Sequence, residues 1–393
     1  MRLLFLNHNV AWSGTFFRAY HLGRHLAATG HEVTLVTTHG SNRVRFTGTA
    51  RDGITIVYAP DLLWGPARQG WDPVNALRRC WHLRHSRWDV VHAFDARPAV
   101  VAPALQASRR GSTLVMDWAD WWGRGGTIQE RSGRLVRTLF GPIETWFEEA
   151  FRREARGTTV ASNALAERAR GLGVAADTIL RIPHGCDVTG FAVLDRAQAR
   201  ASLGVTPDDG LLVHVGRPLP GDARLLFDAL RRLLDRKPRA KLVLIGQSRV
   251  AIPPDLATRG AILETGFVPY QLLQTWLGAA DVGVIPLQDT IANRGRWPSK
   301  VNDCLAAGRA VVITRVGDAA AVVERAQAGW VAAPEPAALA ETLALALDDA
   351  VARDAAGKRA RGLAETELAW SRIAAGVAEF YVRVQAAPSR AAA

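Results

Sequence analysis

The sequence predicts an α/β protein made of two doubly wound parallel-sheet domains. Three observations support this prediction. Short apolar segments alternate with longer segments of helical periodicity, which is typical of repeated βα units. Glycine and proline interrupt this pattern over residues 183–206, and it then starts again. The length of 393 residues is also the length expected for two domains rather than one.

The first half of the chain opens with a buried-type strand at 3–6 and a helix at 16–28. The helix is predicted from apolar residues at helical spacing, and its end is predicted from Gly30. Helices separate the later strands, for instance around 136–152. The further strands predicted in this half are 31–36, 54–58, 90–92, 114–116 and 159–161.

The second half repeats the layout without repeating the sequence. Its predicted strands are 211–215, 241–245, 262–264, 282–285 and 310–313, and a helix is predicted at 225–236. We predict one domain at 1–190, a second at 191–366, a C-terminal helix at 367–386 and a disordered tail at 387–393. Ligands of such sheets bind beyond the carboxyl ends of the strands, so a cleft between the domains is expected.

Composition excludes several classes of protein. With 48% hydrophobic and 22% charged residues, the chain is neither disordered, collagen-like nor a coiled coil. Three widely spaced cysteines make neither a CxxC site nor a disulfide framework, which favours a reduced, cytoplasmic protein. We find no targeting segment and no apolar run of the roughly 18–20 residues that a membrane span needs.

Charge favours an anionic partner. Lysine and arginine number 49 against 37 acidic residues, a formal net charge of +12. Nucleic acid, phosphorylated small molecules and acidic lipid all fit this excess. A general enrichment in arginine explains it equally well, so the charge alone does not choose a partner.

Two loops of the second half are candidate anion sites. Gly216 and Arg217 directly follow a predicted strand, where a guanidinium can bind a phosphate. Lys300 stands at the start of a small-residue helix whose amides favour an anion, and Asp303 in the next turn can accept hydrogen bonds from a ribose. The structural alternative for Arg217 is an ordinary surface arginine, and the alternative for Asp303 is an ordinary carboxylate at a helix N-terminus.

Three positions of the first half are candidates for ligand contacts. Ser13 and Gly14 follow the first strand and open the first helix, although a simple tight turn would look the same. His92 is predicted to end a strand and to point into the cleft, unless it is a core histidine.

The segment after residue 116 adds candidate acceptor ligands. Asp117, Asp120 and Trp121 are assigned to the acceptor, with helix capping as the alternative for the aspartates. The sequence contains no HExxH, DxD, GxxxxGK[ST] or GxSxG motif, and no cluster with the spacing of metal ligands.

Several segments together resemble the GT-B glycosyltransferases of the retaining group that uses nucleotide sugars, called family 4 or group 1. Each segment is short, but they occur in the family's order over nearly the whole chain. The matching segments are the glycine loop at Gly14, Gly30–Val33 for "GHeV", Asp89–His92 for "DvvH", Ile182–Asp187 with Phe191 for "iPnGvD…F", Val215–Arg217 for "vGR", Thr265–Pro269 for "tGfv", Ala280–Val282 with Pro286 for "aDv…P", and Pro298–Gly308 for "PsKl.eylaaG".

This resemblance implies a Rossmann-like acceptor-binding domain at 1–190, a Rossmann-like nucleotide-sugar-binding domain at 191–366, and a C-terminal helix at 367–386 that returns to the first domain. It also assigns roles to residues. Arg217 and Lys300 would hold the donor diphosphate, Asp303 would bind the ribose, His92 would contact the transferred sugar, and Gly14 would approach the diphosphate or the acceptor. His92, Arg217 and Lys300 are thus the expected catalytic residues. The remaining residues expected to bind the nucleotide sugar are Gly216, Val268, Ser299 and Val301. The resemblance implies a co-substrate, with no metal and no bound cofactor.

The chain departs from the family pattern at two places. The family often has two glutamates seven residues apart, whereas here Gly295 takes the first place and Asp303 the second. A lysine that usually follows the "GR" motif is missing from 220–224, where Arg224 is the nearest cation.

A basic, tryptophan-containing segment at 77–88 suggests contact with an anionic membrane surface. Arg131, Arg134 and Arg137 add a second basic face, and a solvated helix face is the alternative. We therefore expect a cytoplasmic enzyme, peripheral on the inner face of the plasma membrane, that acts on a saccharide or lipid-linked acceptor in cell-surface glycan synthesis.

Three other functions stay open at this point. A nucleotide-sugar 2-epimerase of the GT-B type would need acid and base side chains at the sugar. Gly295 stands where the family has a glutamate and supplies no such side chain, which argues against this function. A non-catalytic nucleotide-sugar-binding subunit of a transferase pair is compatible with the same glycine. Nucleic-acid binding has only net charge in its favour and no recognisable module, so no nucleic-acid partner is expected.

Overall fold

A computed structural model describes residues 1–62, 70–130, 133–206, 210–247 and 250–387, without the side chain of Val136. The chain forms two compact units, one of Met1–Pro183 with Trp370–Ala393 and one of His184–Ala369. The division therefore falls at Pro183 and not after residue 190. Backbone bonding explains the position: Ile182 N–H donates to Val160 in unit 1, whereas Cys186 N–H donates to Leu368 in unit 2. The predicted tail lies outside the described residues from 388 onward.

Unit 1 contains an eight-stranded sheet in the order β3-β4-β2-β1-β5-β6-β7-β8. All pairs are parallel except β3 with β4. The strands are β1 Arg2–Val10, β2 Glu32–Thr38, β3 Thr47–Arg51, β4 Ile54–Ala59, β5 Val90–Phe94, β6 Thr113–Trp118, β7 Gly157–Val160 and β8 Ile179–Arg181. The inner strands are buried on both faces, which explains why they are apolar runs without alternation.

Helices cover this sheet. They are α1 Phe16–Ala28, α2 Pro73–Leu83, α3 Pro98–Ser108, α4 Arg134–Ala150, α5 Asn163–Gly171 and, from the end of the chain, α15 Trp370–Ala386. Short 3-10 helices occupy Thr127–Glu130, Arg152–Glu154 and Ala176–Thr178. Helix α15 belongs to the core of unit 1, where Trp370 stacks on His21 with ring centroids 5.5 Å apart and Tyr381 is completely buried.

Unit 2 contains a six-stranded, fully parallel sheet in the order β11-β10-β9-β12-β13-β14. Its strands are β9 Leu211–Val215, β10 Lys241–Ile245, β11 Ile262–Gly266, β12 Val282–Ile285, β13 Val311–Thr314 and β14 Gly329–Ala332. Its helices are α6 Arg196–Leu203, α7 Pro220–Arg236, α8 Pro254–Thr258, α9 Tyr270–Ala279, α10 Ile291–Gly295, α11 Ser299–Ala306, α12 Gly317–Arg325, α13 Pro336–Asp348 and α14 Ala350–Thr366. The predicted fold class of two parallel α/β sheets is confirmed.

Candidate functional site

The centre of the unit 2 sheet positions the candidate donor site. Strand order reverses between β9 and β12, and ligands of open α/β sheets bind at such a switch point. His214 on β9 is buried there, and its Nδ1–H donates to the carbonyl of Val284 on β12 at 2.8 Å. Its Nε2 therefore accepts from the ammonium of Lys300 at 3.1 Å. This contact holds the Lys300 side chain at the switch point.

Helix α11 presents its N-terminus at the same place. Its N-cap residue is Pro298, and no side chain caps the helix. Ser299 is exposed and Lys300 is half-buried, whereas Val301 is completely buried and anchors the first turn. An uncapped helix end with a lysine in its first turn is a favourable place for a phosphate.

Glycines line the carboxyl ends of three adjacent strands beside this helix. Gly216, Gly246 and Gly266 follow or end β9, β10 and β11, with φ angles of 79°, 120° and 65°. A Cβ on Gly246 would lie 3.4 Å from the Cα of Gly216, which shows how closely the two backbones approach. This edge of the sheet therefore exposes backbone, and a flat ligand can approach it closely. Arg217 is exposed directly after it, and Val268 is half-buried after β11.

A second cation accompanies Lys300. Arg296 donates to the carboxylate of Asp222 at 3.0 Å, and that carboxylate also accepts from Asn293 Nδ2 at 2.9 Å. Burial, and next the charge of Arg296, lower the pKa of Lys300 to about 7. An incoming anion would stabilise the protonated ammonium, because opposite charge favours the charged form of a buried lysine.

Asp303 lies one turn further along α11. Burial, and next the charge of Asp187, raise the pKa of this half-buried carboxyl to about 7. Asp187 is held by Gly190 N–H at 3.1 Å and by the hydroxyl of Tyr270 at 3.2 Å. A carboxyl that is easily protonated can donate or accept a hydrogen bond, which suits a diol ligand.

The loop after β1 in unit 1 is organised by its own residues. The side-chain oxygen of Asn9 accepts from Thr15 N–H at 3.0 Å and so occupies the start of α1. Gly14 has a φ of 54°, and a Cβ there would lie 2.7 Å from the side-chain nitrogen Nδ2 of Asn9. Ser13 donates to Val10 and is half-buried. Gly14 is therefore required by the loop itself, whether or not a ligand binds there.

A buried polar cluster lies at the switch point of unit 1, between β1 and β5. His8 Nε2 and the carboxylate of Asp95 are 2.8 Å apart, and Asp95 has a φ of 79°. The guanidinium of Arg97 lies 5.5 Å from the ring centroid of Trp71 and 5.2 Å from that of Trp122. Left-handed backbone at a non-glycine residue is costly and is typical of functional sites. This cluster has no motif in the sequence, although His8 lies near the end of β1 and Asp95 directly follows β5.

Comparison with known families decides the assignment. Residues 13–185 match a model described as a glycosyl transferase 4-like domain, and residues 209–349 match one described as glycosyl transferases group 1. The chain belongs to the group 1 glycosyltransferases. A search of curated protein sequences found no match for this glycosyltransferase.

Solved structures of low sequence identity share its fold. Sucrose-phosphate synthase from Thermosynechococcus elongatus is 17% identical with a TM-score of 0.77, over 98% of this chain and 100% of that one. WaaG, involved in lipopolysaccharide biosynthesis, is 19% identical with a TM-score of 0.70, over 96% and 99%. Anabaena Alr3699/HepE in complex with UDP and glucose is 17% identical with a TM-score of 0.71, over 98% and 100%. The fold of this glycosyltransferase is GT-B.

The structure does not allow the sugar contact predicted for His92. Strand β5 continues to Phe94, so His92 lies inside the strand and is completely buried. Tyr381 O–H lies 2.6 Å from its Nδ1, and Thr159 Oγ1 lies 3.0 Å from its Nε2. Burial lowers the pKa of His92 to about 4, so the ring is neutral. His92 is a core residue of unit 1, which was the alternative considered above.

Asp117 is likewise a core residue and not an acceptor ligand. Its two carboxylate oxygens accept from Arg18 at 2.9 and 3.0 Å, and one also accepts from Thr159 Oγ1 at 2.6 Å. The pair is buried because β6 extends to Trp118, beyond the end that apolar periodicity predicts.

The remaining predicted residues of unit 1 lie at its surface. Asp120 and Trp121 are half-buried after β6, and the guanidinium of Arg168 lies 4.3 Å from the Trp121 ring centroid. In unit 2, Gly295 is buried at the end of α10, so no carboxylate stands at that position. Across the described residues, no group of three or more His, Cys, Asp and Glu is placed to hold a metal ion.

Proposed function

We infer that this glycosyltransferase moves a hexose from a nucleoside diphosphate sugar to a saccharide acceptor, with retention of configuration and without a metal ion. The observation that carries the proposal is the Lys300 ammonium, which His214 holds at the uncapped start of α11. Breaking the glycosidic bond of the donor leaves negative charge on the diphosphate. Fixed cations and helix amides stabilise that charge without the reorganisation that water would require.

Arg217 and Lys300 form the proposed diphosphate site. Arg217 is exposed at the end of β9, two residues beyond Val215, and can reach a ligand without breaking a contact shown in the described residues. Arg296 supports the site electrostatically, because its guanidinium is held by Asp222. Gly216, Val268, Ser299 and Val301 complete the proposed nucleotide-sugar site, and Asp303 would bind the ribose.

Unit 1 is the proposed acceptor domain. Ser13, Asp120 and Trp121 remain candidate acceptor ligands at its surface, and the cluster of His8, Asp95 and Arg97 at its switch point adds polar groups of fixed geometry. WaaG, which shares the fold, is involved in lipopolysaccharide biosynthesis. A lipid-linked or cell-surface saccharide is therefore the acceptor class that we propose, for a cytoplasmic protein at the inner membrane face.

A non-catalytic subunit that binds the nucleotide sugar is the second candidate, because Gly295 leaves the site without the first family carboxylate. Release of free nucleoside diphosphate separates the two functions. A transferase releases it only when donor and acceptor are both present, whereas a binding subunit releases none. A 2-epimerase would release it from the donor alone or convert the sugar.

The direct test is thermal unfolding with UDP-glucose, the ligand of Alr3699/HepE, in the presence of EDTA. At a hundredfold excess over Kd, a bound donor adds about 2.7 kcal/mol of stability. Lys300→Met should abolish this shift, whereas Lys358→Met, an exposed lysine on α14, should retain it. Equal shifts in both variants would remove Lys300 from the donor site.

A further inference from the structure

Helix α4 of unit 1 exposes an apolar face. Leu135, Leu139, Ile143 and Trp146 are 71%, 56%, 45% and 56% exposed and recur every three or four residues. Residues at that spacing lie on one side of a helix. Pro142 is exposed on the same side, and the hydroxyl of Thr138 is bonded to the carbonyl of Arg134 one turn earlier. We name this face of Leu135, Leu139, Pro142, Ile143 and Trp146 the α4 stripe.

The acidic residues of α4 are buried or paired instead of flanking the stripe. Glu144 and Glu148 are buried, and Glu148 accepts from Trp118 Nε1 at 2.8 Å and pairs with Arg168 at 2.9 Å. Glu149 pairs with Arg168 at 2.7 Å. The amphipathic pattern of the helix is therefore the reverse of that of an ordinary surface helix, whose charged residues face water.

Cations border the N-terminal end of the stripe. Arg134 is exposed on the helix, and Arg124 is exposed in the segment before it. Arg137 is half-buried, and its guanidinium donates to the carbonyl of Gln129 at 3.3 Å. Arg124 and Arg137 line a groove of about 390 Å³ that runs beside α4 as far as Trp146. Glu149 also lines this groove, where its carboxylate is paired with Arg168 at 2.7 Å, so a negatively charged head group would lie against the arginines.

We propose that the α4 stripe docks unit 1 on an anionic phospholipid bilayer, with α4 lying in the interface and lipid phosphates against Arg124, Arg134 and Arg137. Apolar side chains, interfacial tryptophan and flanking arginines are the three features that hold an amphipathic helix at an anionic surface. No helix among the residues that the structure describes has the length and apolar character needed to span a membrane. With 17 residues and charged groups on its inner side, α4 lies on the bilayer and does not cross it.

Charge favours the bilayer over a second copy of the chain. Two copies with a net charge of +12 repel each other, whereas an anionic surface attracts each of them. A stable dimer also buries about 800 Å² on each partner, which is more than one line of side chains supplies. The stripe belongs to the crossover helix that follows Asp120 and Trp121, so docking would bring the proposed acceptor domain to lipid-linked saccharides.

The structure also argues against α2, which the sequence indicated as the membrane segment. Helix α2 ends at Leu83, and Arg79 is completely buried, where it donates to the carbonyl of Asn7 at 2.7 Å. Trp88 lies beyond the helix and packs against the core. Leu77 and Trp81 are nonetheless 71% and 68% exposed, which makes them a matched control. Arg131 lies outside the described residues.

The test compares two variants of the full chain in flotation with vesicles of phosphatidylglycerol and phosphatidylcholine. Leu135→Gln/Leu139→Gln/Ile143→Gln should lower vesicle binding at least about tenfold, because it removes the apolar contact. Leu77→Gln/Trp81→Gln should bind like the wild type. All substituted side chains are exposed, so thermal midpoints should stay unchanged. Pure phosphatidylcholine vesicles should bind weakly, and salt should weaken binding to the anionic ones.

Two outcomes would overturn the proposal. In the first, the α4 variant binds anionic vesicles as the wild type does. Loss of binding in the α2 variant at the same time would move the docking surface to α2. In the second, sedimentation shows a wild-type dimer that the α4 variant converts to monomer, which would identify a second copy as the occupant. Bilayer binding is measured without donor or acceptor, so its failure leaves the proposed transferase activity untouched.

Discussion

The charge of the Lys300 side chain near neutral pH depends on whether an anionic ligand is bound beside it. Burial and Arg296 lower the pKa of Lys300 to about 7, and a bound diphosphate would raise it again. The free protein must therefore take up a proton when it binds a nucleotide sugar above that pH. We predict that the affinity for UDP-glucose rises about tenfold as the pH falls from about 9 to about 7 and then levels off.

Titration calorimetry in buffers of different ionisation enthalpy measures the proton uptake directly. Lys300→Met should abolish both the proton uptake and the pH dependence. Lys358→Met serves as the control, because Lys358 lies exposed on α14 and is not one of the proposed donor-site residues. An affinity that is independent of pH in the wild type would show that Lys300 does not face the diphosphate.

Asp303 makes a separate contribution to stability. The folded-state pKa of its carboxyl is raised from 3.8 to about 7, so the folded protein holds a proton that the unfolded chain releases. This contribution is complete below about pH 4 and is lost as the pH rises through about 7. We predict that Asp303→Asn is more stable than the wild type by about 1–3 kcal/mol above pH 7, with no gain near pH 4. Urea unfolding at the two pH values measures the difference, and a gain of equal size at both would contradict the assignment.

The buried ion pair of Arg18 and Asp117 leads to a prediction about the free energy of unfolding. Asp117→Asn removes one charge and leaves Arg18 uncompensated in the core, at a cost of about 3–5 kcal/mol in unfolding free energy. The exposed pair of Arg231 and Asp255 is the matched control, because water screens it, and Asp255→Asn should cost much less. Denaturant unfolding of both variants compares them. Equal costs would mean that Asp117 is not the core residue that the structure shows.

Single residues were the hardest part of the site to predict from sequence. Local pattern places Gly216 and Arg217 at a strand end and Lys300 at a helix start, as the structure has them, and their roles at the donor stay predictions. His214 and Arg296 act through neighbours on other elements, and the sequence does not show which strands become neighbours. His92 was misplaced because β5 extends two residues further than periodicity predicted.

At the scale of elements, apolar runs in the sequence predict the buried strands. Exposed strands have no such run and are not predicted from it. Strand β3 is exposed along its whole length and was missed, as were the short edge strands β8 and β14. A turn signal was nevertheless present for β3. Asp52 and Gly53 both have positive φ between β3 and β4, and an Asp-Gly pair is typical of a tight hairpin.

Helix α15 completes the core of unit 1 through a specific polar contact. Tyr381 is completely buried, and its hydroxyl donates to the Nδ1 of His92 at 2.6 Å. We predict that Tyr381→Phe costs about 1–3 kcal/mol, because it leaves a buried acceptor unsatisfied. Val382→Ala, at an exposed neighbour on the same helix, should cost nearly nothing. Chemical denaturation measures both, and a neutral Tyr381→Phe would show that α15 is held by apolar packing alone.

At the scale of the whole molecule, each unit has its own sheet and its own apolar core. The proposed donor site is built entirely from His184–Ala369, with contributions from β9, α10 and α11. A donor should therefore slow amide exchange in unit 2 first. The most affected amides should be those of Arg217, Ser299 and Lys300, because the first amides of a helix have no intrahelical partner. Gly216 N–H should change less, since it already donates to the carbonyl of Ile245 at 2.7 Å.

Hydrogen exchange with and without UDP-glucose tests this prediction on the intact chain. Protection should centre on Arg217, Ser299 and Lys300, and it should vanish in Lys300→Met while Lys358→Met retains it. The buried strand β5 should exchange equally slowly in every case, because its amides belong to the core of unit 1. Protection that centres on His8 and Asp95 instead would place the nucleotide sugar in unit 1 and would reverse the proposed roles of the two units.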